Sequence, residues 1–233
     1  MHPELDYRTF RFSKLNTGEF RHLKLLLYWP VFGLLFFLAE RVLTARHYYP
    51  MYCGLDSYIP FCELFVIPYV FWFVYMVGMH AYTLFFDIRA FRRLMNFIMV
   101  TYTIGLVIFF LFPTCQHLRP AVFPRDNVLT RFMADFYGFD TSTNVCPSLH
   151  VVGSMAVMFA AWDCTRLQSR KWKAAFAVCT FLISISTVFL KQHSAIDVVA
   201  GLLVSWVGYR LVYKGDWAAV KNTFRRRRVK ITE

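Results

Sequence analysis

No two cysteines in this sequence stand at C-x-x-C spacing, and none of the six (Cys53, Cys62, Cys115, Cys146, Cys164, Cys179) falls in a zinc-like pattern. That excludes the common thiolate metal sites. Polar surface is scarce as well. With 58% hydrophobic residues and a mean hydropathy of +0.43, a soluble fold of 233 residues would expose too much apolar area. Acids are few, fourteen against twenty-six Lys and Arg. Such an excess would suit a nucleic-acid partner, but the placement of the basic residues argues against one. There is no internal repeat and no low-complexity segment apart from a basic C-terminal run. A cleavable signal is not expected, because about 22 mostly polar residues precede the first apolar stretch.

What the chain does have is six apolar blocks, at 23–40, 60–86, 94–113, 148–164, 172–190 and 194–213. Their length matches about 30 Å of hydrocarbon at 1.5 Å per helical residue. The expected fold class is therefore all-α, a polytopic membrane protein built as a bundle of about six transmembrane helices. Residues 1–22 form an N-terminal segment, 23–213 the membrane domain and 214–233 a basic tail. Pro30 and Gly33 interrupt the first block, and Glu63 and Pro68 the second, which membrane helices tolerate when neighbours satisfy the freed backbone.

The lysines and arginines orient the bundle. With both termini cytoplasmic, twenty lie inside: Arg8 to Lys24 in the N-terminal segment, Arg89, Arg92 and Arg93 between blocks two and three, Arg166 to Lys173 between four and five, and Arg210 to Lys230 at the end. Six remain outside, Arg41, Arg46, Arg119, Arg125, Arg131 and Lys191. Cytoplasmic loops retain positive charge, so both ends are expected in the cytoplasm. The run Arg225 to Arg228 then reads as a topology anchor that attracts anionic headgroups, not nucleic acid. Cys53, Cys62, Cys115 and Cys146 fall on or near the outer face, where a disulfide is permitted in an oxidising compartment.

Ionisable groups at membrane depth are expensive, so each is a functional candidate. Three polar clusters stand out: Arg119-Pro120 after the third block, Cys146-Pro147-Ser148-Leu149-His150 opening the fourth, and Lys191 to Asp197 between the fifth and sixth. The charge-derived topology puts all three on the outer side. His193 and Asp197 are four apart, so on a helix the carboxylate reaches an imidazole N–H and fixes its tautomer, freeing the other nitrogen as nucleophile or base. Pro147 suits a first helical turn, and Ser148 beside it lies at the positive end of a helix dipole, which binds phosphate. His150 has a pKa suited to general acid work. Arg119 offers a planar fork to phosphate oxygens and Lys191 a point charge. The plainer alternatives are that His193 and Asp197 cap the sixth block, that His150 is interfacial packing, and that Arg119 and Lys191 snorkel to headgroups.

The order Arg-Pro, Pro-Ser-x-His, His-x-x-x-Asp over the last four blocks resembles the three motifs of the type 2 phosphatidic acid phosphatase superfamily, which shares its site with the vanadium haloperoxidases. The resemblance covers roughly residues 95–213, which it marks as the catalytic core. It implies that His193 attacks phosphorus, that Asp197 orients it and that His150 protonates the leaving oxygen. It further implies that Arg119 and the backbone around Ser148 and Leu149 hold the phosphoryl oxygens; that Lys191 replaces part of the missing positive charge is our own reading and not part of the resemblance. The substrate would be a membrane lipid phosphoester, and no metal or other cofactor is implied. Three positions depart from the pattern: Phe112 stands for a lysine, Leu149 for a glycine and Thr187 for an arginine. Pro-Ser-Leu-His and Ser186-Thr187 are more similar to the inositol phosphorylceramide synthase branch and, more distantly, to sphingomyelin synthases, so either water or an alcohol is an acceptor to consider. The two missing cations lead us to expect a site better suited to a singly charged phosphodiester than to a doubly charged monoester. A proton-coupled transporter and an inactive scaffold are the readings of other classes. The first is disfavoured because blocks two and three carry little polar lining.

Overall fold

A computed structural model of the chain describes residues 3–43 and 45–215. The basic run from Arg225 to Arg228 lies outside the described residues. Seven α-helices follow one another: α1 (Tyr28–Phe37), α2 (Val66–Phe86), α3 (Ile88–Leu111), α4 (Val128–Phe139), α5 (Leu149–Asp163), α6 (Arg170–Phe189) and α7 (Ala195–Val212). A 3-10 segment (Arg21–Leu27) leads into α1 and a π-helical turn (Leu38–Val42) ends it. The apolar stretches Arg21–Val42, Glu63–Phe86, Ile88–Leu111, Arg170–Phe189 and Ala195–Val212 are long and apolar enough to cross a membrane. Each corresponds to one of the expected blocks, and the remaining block is the shorter apolar helix α5. The protein is an integral membrane protein of all-α class. Exposed Val74, Val77, Phe181 and Leu203 on the bundle exterior suit lipid as their solvent.

The interruptions in the first two blocks have simple places. Pro30 and Pro68 are each the third residue of their helix, where the missing N–H has no intrahelical acceptor to lose. Glu63 precedes α2 in a 3-10 turn and is buried, pairing with Arg125 at 3.0 Å and accepting from Asn127 Nδ2 at 3.1 Å. It anchors the loop before α4 and does not interrupt a span.

Helix α5 is the hub, packed against α2, α3, α6 and α7. Its 15 residues span about 22 Å, and small residues on its faces (Gly153, Ser154, Ala156, Ala160, Ala161) allow close approach. A Cβ on Gly201 of α7 would sit 3.0 Å from the Ser148 carbonyl oxygen, so the absence of a side chain there lets α7 reach the start of α5.

At one end of the bundle gather the segments expected in the cytoplasm. Asp87 caps α3 through the Ala90 N–H and also accepts from Thr165, while Arg93 pairs with Asp163 at 2.5 Å. Glu4 accepts from the Ile88 N–H, and Arg93 lies over the Tyr213 ring. The opposite end carries the three polar clusters, a two-residue parallel pair β1 (Tyr49–Pro50) with β2 (Thr114–Cys115), and α4. No apolar block marked α4, because its 12 residues are amphipathic: Thr130 and Met133 are buried while Val128, Phe132 and Phe139 are exposed. All six cysteines are free.

Candidate active site

Helix α7 begins where its sequence dictates. Ser194 is the N-cap and Asp197 the third residue, and the Asp197 carboxylate accepts the Ser194 N–H at 2.9 Å, a capping box. The same oxygen lies 3.4 Å from Nδ1 of His193. The expected i, i+4 pairing is therefore present, a long contact with a fully buried carboxylate. Nε2 is the ring nitrogen left for chemistry. The backbone N–H groups of Gln192 and His193 both donate to the Thr187 carbonyl, which fixes the turn leading into the helix. Thr187, where the resemblance would put an arginine, is buried and spends its hydroxyl on Ser184.

The start of α5 differs by one residue from the expected register. Ser148, not the residue before Pro147, is the N-cap, so Pro147 stands outside the helix and Leu149 and His150 open it. The Ser148 N–H is taken by the Asp197 carbonyl at 3.1 Å, which ties the second cluster to the third. Its hydroxyl is buried without a hydrogen-bond partner. The N–H groups of Leu149 and His150 have no intrahelical acceptor. The His150 ring packs against two aromatics of α2, stacked on Tyr69 at 4.4 Å and tilted against Trp72 at 4.5 Å between centroids, and its Nε2 is buried and unpartnered. The His150 and His193 rings are 6.1 Å apart.

Both histidines line a cavity of about 220 Å³. One part of its wall is aromatic, including Trp29, Phe32, Phe36, Trp72 and Phe109, and the rest is polar, with Glu40, Asp140, Asn144 and Gln192. Leu149 also lines it, whereas Arg119, Ser148 and Lys191 do not. The Arg119 fork is spent on protein: Nη1 donates to the Tyr137 carbonyl at 3.0 Å, and Nη2 to the carbonyls of Asp140 and Thr141 and to Gln192 Oε1 at 2.6 Å. Its guanidinium lies 4.4 Å from the centre of the Tyr137 ring. Lys191 has a left-handed φ of 55° and turns its ammonium to the carbonyls of Asp56 (2.9 Å) and Ile59 (2.5 Å). Neither cation lines the cavity, and backbone carbonyls at the loop ends accept from both.

Three carboxylates that sequence reasoning did not single out complete the site. Asp56, from the loop before α2, is 2% exposed and accepts from Ser194 Oγ (2.5 Å), the Ala195 N–H (2.8 Å) and the Cys53 N–H (2.8 Å). Burial pushes its carboxyl up, but these hydrogen bonds outweigh that and hold it below the ordinary range. Asp140 accepts from Gln192 Nε2 at 2.9 Å and Tyr69 OH at 3.3 Å. Burial raises it, opposed in part by the nearby His193 and Arg119. Glu40 accepts from Asn144 Nδ2 at 2.7 Å and from the hydroxyls of Thr141 and Thr143. The available signals were weak: a Gly-Leu-Asp-Ser loop for Asp56, and for Asp140 only its nearness to the second cluster.

Burial, with the neighbouring Asp197 carboxylate, pushes the Cys146 thiol up to about 12, so it stays protonated and is no nucleophile. Among the described residues no cluster of three or more His, Cys, Asp or Glu side chains is arranged to hold a metal ion.

Comparison with curated proteins and with solved structures returns no match. The family model of the PAP2 superfamily matches residues 93–221, which includes all three clusters. A membrane-helical fold, a match over more than half of the chain and a paired His193 and Asp197 facing His150 agree with one another, and the chain belongs to the PAP2 superfamily.

Proposed function

We propose that this protein cleaves a phosphoester of a membrane lipid through a phosphohistidine at His193. The observation that carries this reading is the pairing of His193 with the buried Asp197 on a cavity that His150 also lines, 6.1 Å away between ring centres. Asp197 holds the proton on Nδ1, so Nε2 carries the lone pair that attacks phosphorus. His150 gives a proton to the departing ester oxygen and, as its conjugate base, takes one from the acceptor in the second step. The free N–H groups at the start of α5 are the donors for phosphoryl oxygen, aided by the helix dipole. Arg119 acts at one remove, bracing Gln192 and the 137–141 segment that wall the cavity. The aromatic wall, which includes Trp29, Phe32 and Phe36 of α1, suits the apolar part of a lipid.

Water is the default acceptor, and an alcohol takes its place if the chain works as a headgroup phosphotransferase. The charge bias, twenty basic residues to six, supports an extracytoplasmic site with both termini in the cytoplasm. Membrane lipids are then the substrates, and the tail beyond residue 214 contacts anionic headgroups. The test is turnover of labelled lipid phosphoesters by purified protein. Wild type releases product and His193→Ala, still folded, does not; retained turnover in that variant would rule the reading out. For sidedness, single cysteines near Ser57 and Arg125 should react with an impermeant reagent from outside, and those near Arg92 and Ser169 should not. The reverse pattern would move the site to the cytoplasm.

A further inference from the structure

Which phosphoester the cavity takes follows from the charge on its walls. Two carboxylates line it, Glu40 and Asp140, together with two histidines, and no lysine or arginine does. Five of the six basic side chains of this end contact other protein groups, and the sixth, Arg46, does not line the cavity. Arg41 donates to the Phe139 carbonyl, Arg125 pairs with Glu63 and Arg131 with Asp126, while Arg119 and Lys191 are held by carbonyls as described. Neither Glu40 nor Asp140 has an ion-pair partner within 4.0 Å among the described residues. Both accept from neutral donors, Glu40 from Asn144 and two threonines, Asp140 from Gln192 and Tyr69. These partners fix the carboxylates on the wall without an ion pair, and Arg119 and Arg41 act on Asp140 only through space, offsetting part of its charge. His193 lines the same cavity as both carboxylates, so a phosphoryl group bound there meets the negative charge that remains on the wall.

We infer that Glu40 and Asp140 make this cavity selective for singly charged phosphodiester lipids over doubly charged phosphomonoesters. The inference rests on the phosphohistidine reading above. A second negative charge roughly 7 Å from a carboxylate, at an effective dielectric of about 20, is disfavoured by some tens of fold. The positions where the resemblance would supply cations carry Phe112, exposed at the end of α3, and the buried Thr187, so nothing at either place offsets that repulsion. In the reaction, His193 Nε2 bonds to phosphorus as one P–O ester bond breaks, and the leaving oxygen takes its proton from His150. The second ester stays on the phosphohistidine. The acceptor then bonds through oxygen to phosphorus and gives its proton to His150, and the P–N electron pair returns to His193.

Dioleoylphosphatidic acid and dioleoylphosphatidylmethanol differ by one methyl ester and, at pH 8, by one charge on the phosphoryl group. Release of diacylglycerol from each, by the full chain in mixed micelles, gives the ratio of kcat/KM values. Wild type should favour the diester by about tenfold or more, and Asp140→Asn and Glu40→Gln should each lower that ratio by about tenfold. The ratio is internal to each preparation, so partial loss of folded protein cancels. A wild type that favours phosphatidic acid overturns the inference whatever the variants do, as does an unchanged ratio in both variants. His193→Ala separates the two levels: if it is inactive on both lipids while wild type favours the monoester, only the selectivity fails, and if it remains active the phosphohistidine reading itself fails.

Discussion

The two histidines of the site face one cavity and are held by different physics. His193 sits in a turn fixed by directional polar contacts: its N–H on the Thr187 carbonyl, its ring on Asp197, the next residue on Asp56, and Lys191 on the Asp56 and Ile59 carbonyls. His150 is held by ring packing, stacked on Tyr69 and tilted against Trp72, with Nε2 unpartnered. A nucleophile needs one tautomer and one direction of attack, which hydrogen bonds impose. A group that must give up and regain a proton is better oriented by ring faces, which leave its nitrogen uncommitted.

The comparison breaks most visibly at His193. His193→Ala and Asp197→Ala should each lower kcat by roughly 10³-fold or more, and the double variant should be little worse than either, since the pair acts as a unit. Additive losses would mean that Asp197 acts apart from His193. At His150 the loss should depend on the substrate. His150→Ala should slow the first, phosphorylating step, read as a single-turnover rate, roughly 10²–10⁴-fold on an alkyl ester and much less on an aryl phosphoester, whose leaving group needs no proton. Equal loss on both would make His150 a packing residue.

Loosening that ring packing should have a smaller effect of the same kind. Trp72→Leu removes one of the two rings and should slow the phosphorylating step on alkyl esters about tenfold while sparing the aryl substrate, an order-of-magnitude expectation within the share assigned to acid catalysis. A uniform loss on both would point to general damage, since a Cβ on Gly153 would already lie 3.0 Å from the Trp72 ring.

The polar strap is tested last. Asp56→Asn keeps the shape but weakens the charge-assisted bonds to Ser194, Ala195 and Cys53, and should lower stability by about 2 kcal/mol. Because the folded carboxyl is held below its ordinary value, the stability it contributes is present above about pH 4 and is lost as pH falls through the lowered value. Thermal melts of wild type and Asp56→Asn should therefore converge in acid and differ at neutral pH. A difference independent of pH would deny the carboxylate this role.

Much of this was legible in the sequence for a physical reason. Helices that must span about 30 Å of hydrocarbon announce themselves by length, and an i, i+4 pair such as His193 and Asp197 is set by helix geometry alone. What was hidden depends on distant partners. Asp56 and Ser194 are 138 residues apart, and no local pattern tells a buried loop acid that caps a helix from an exposed one. Nor does the sequence show that Arg119 and Lys191 donate to carbonyls at loop ends, since those acceptors come from other segments. Helix α4 escaped notice because 12 amphipathic residues at one end of the bundle carry no membrane-length signal.

The central claim is that phosphorus passes through His193, and it is tested most directly by making the second step fail. In His150→Ala an aryl phosphoester can still discharge its leaving group, but the acceptor has lost its base. The protein should therefore release a burst of about one aryl alcohol per active site and retain an acid-labile, base-stable phosphoryl adduct on the peptide containing His193. A variant that turns over with no burst and no adduct, or carries the adduct on another residue, would contradict the account.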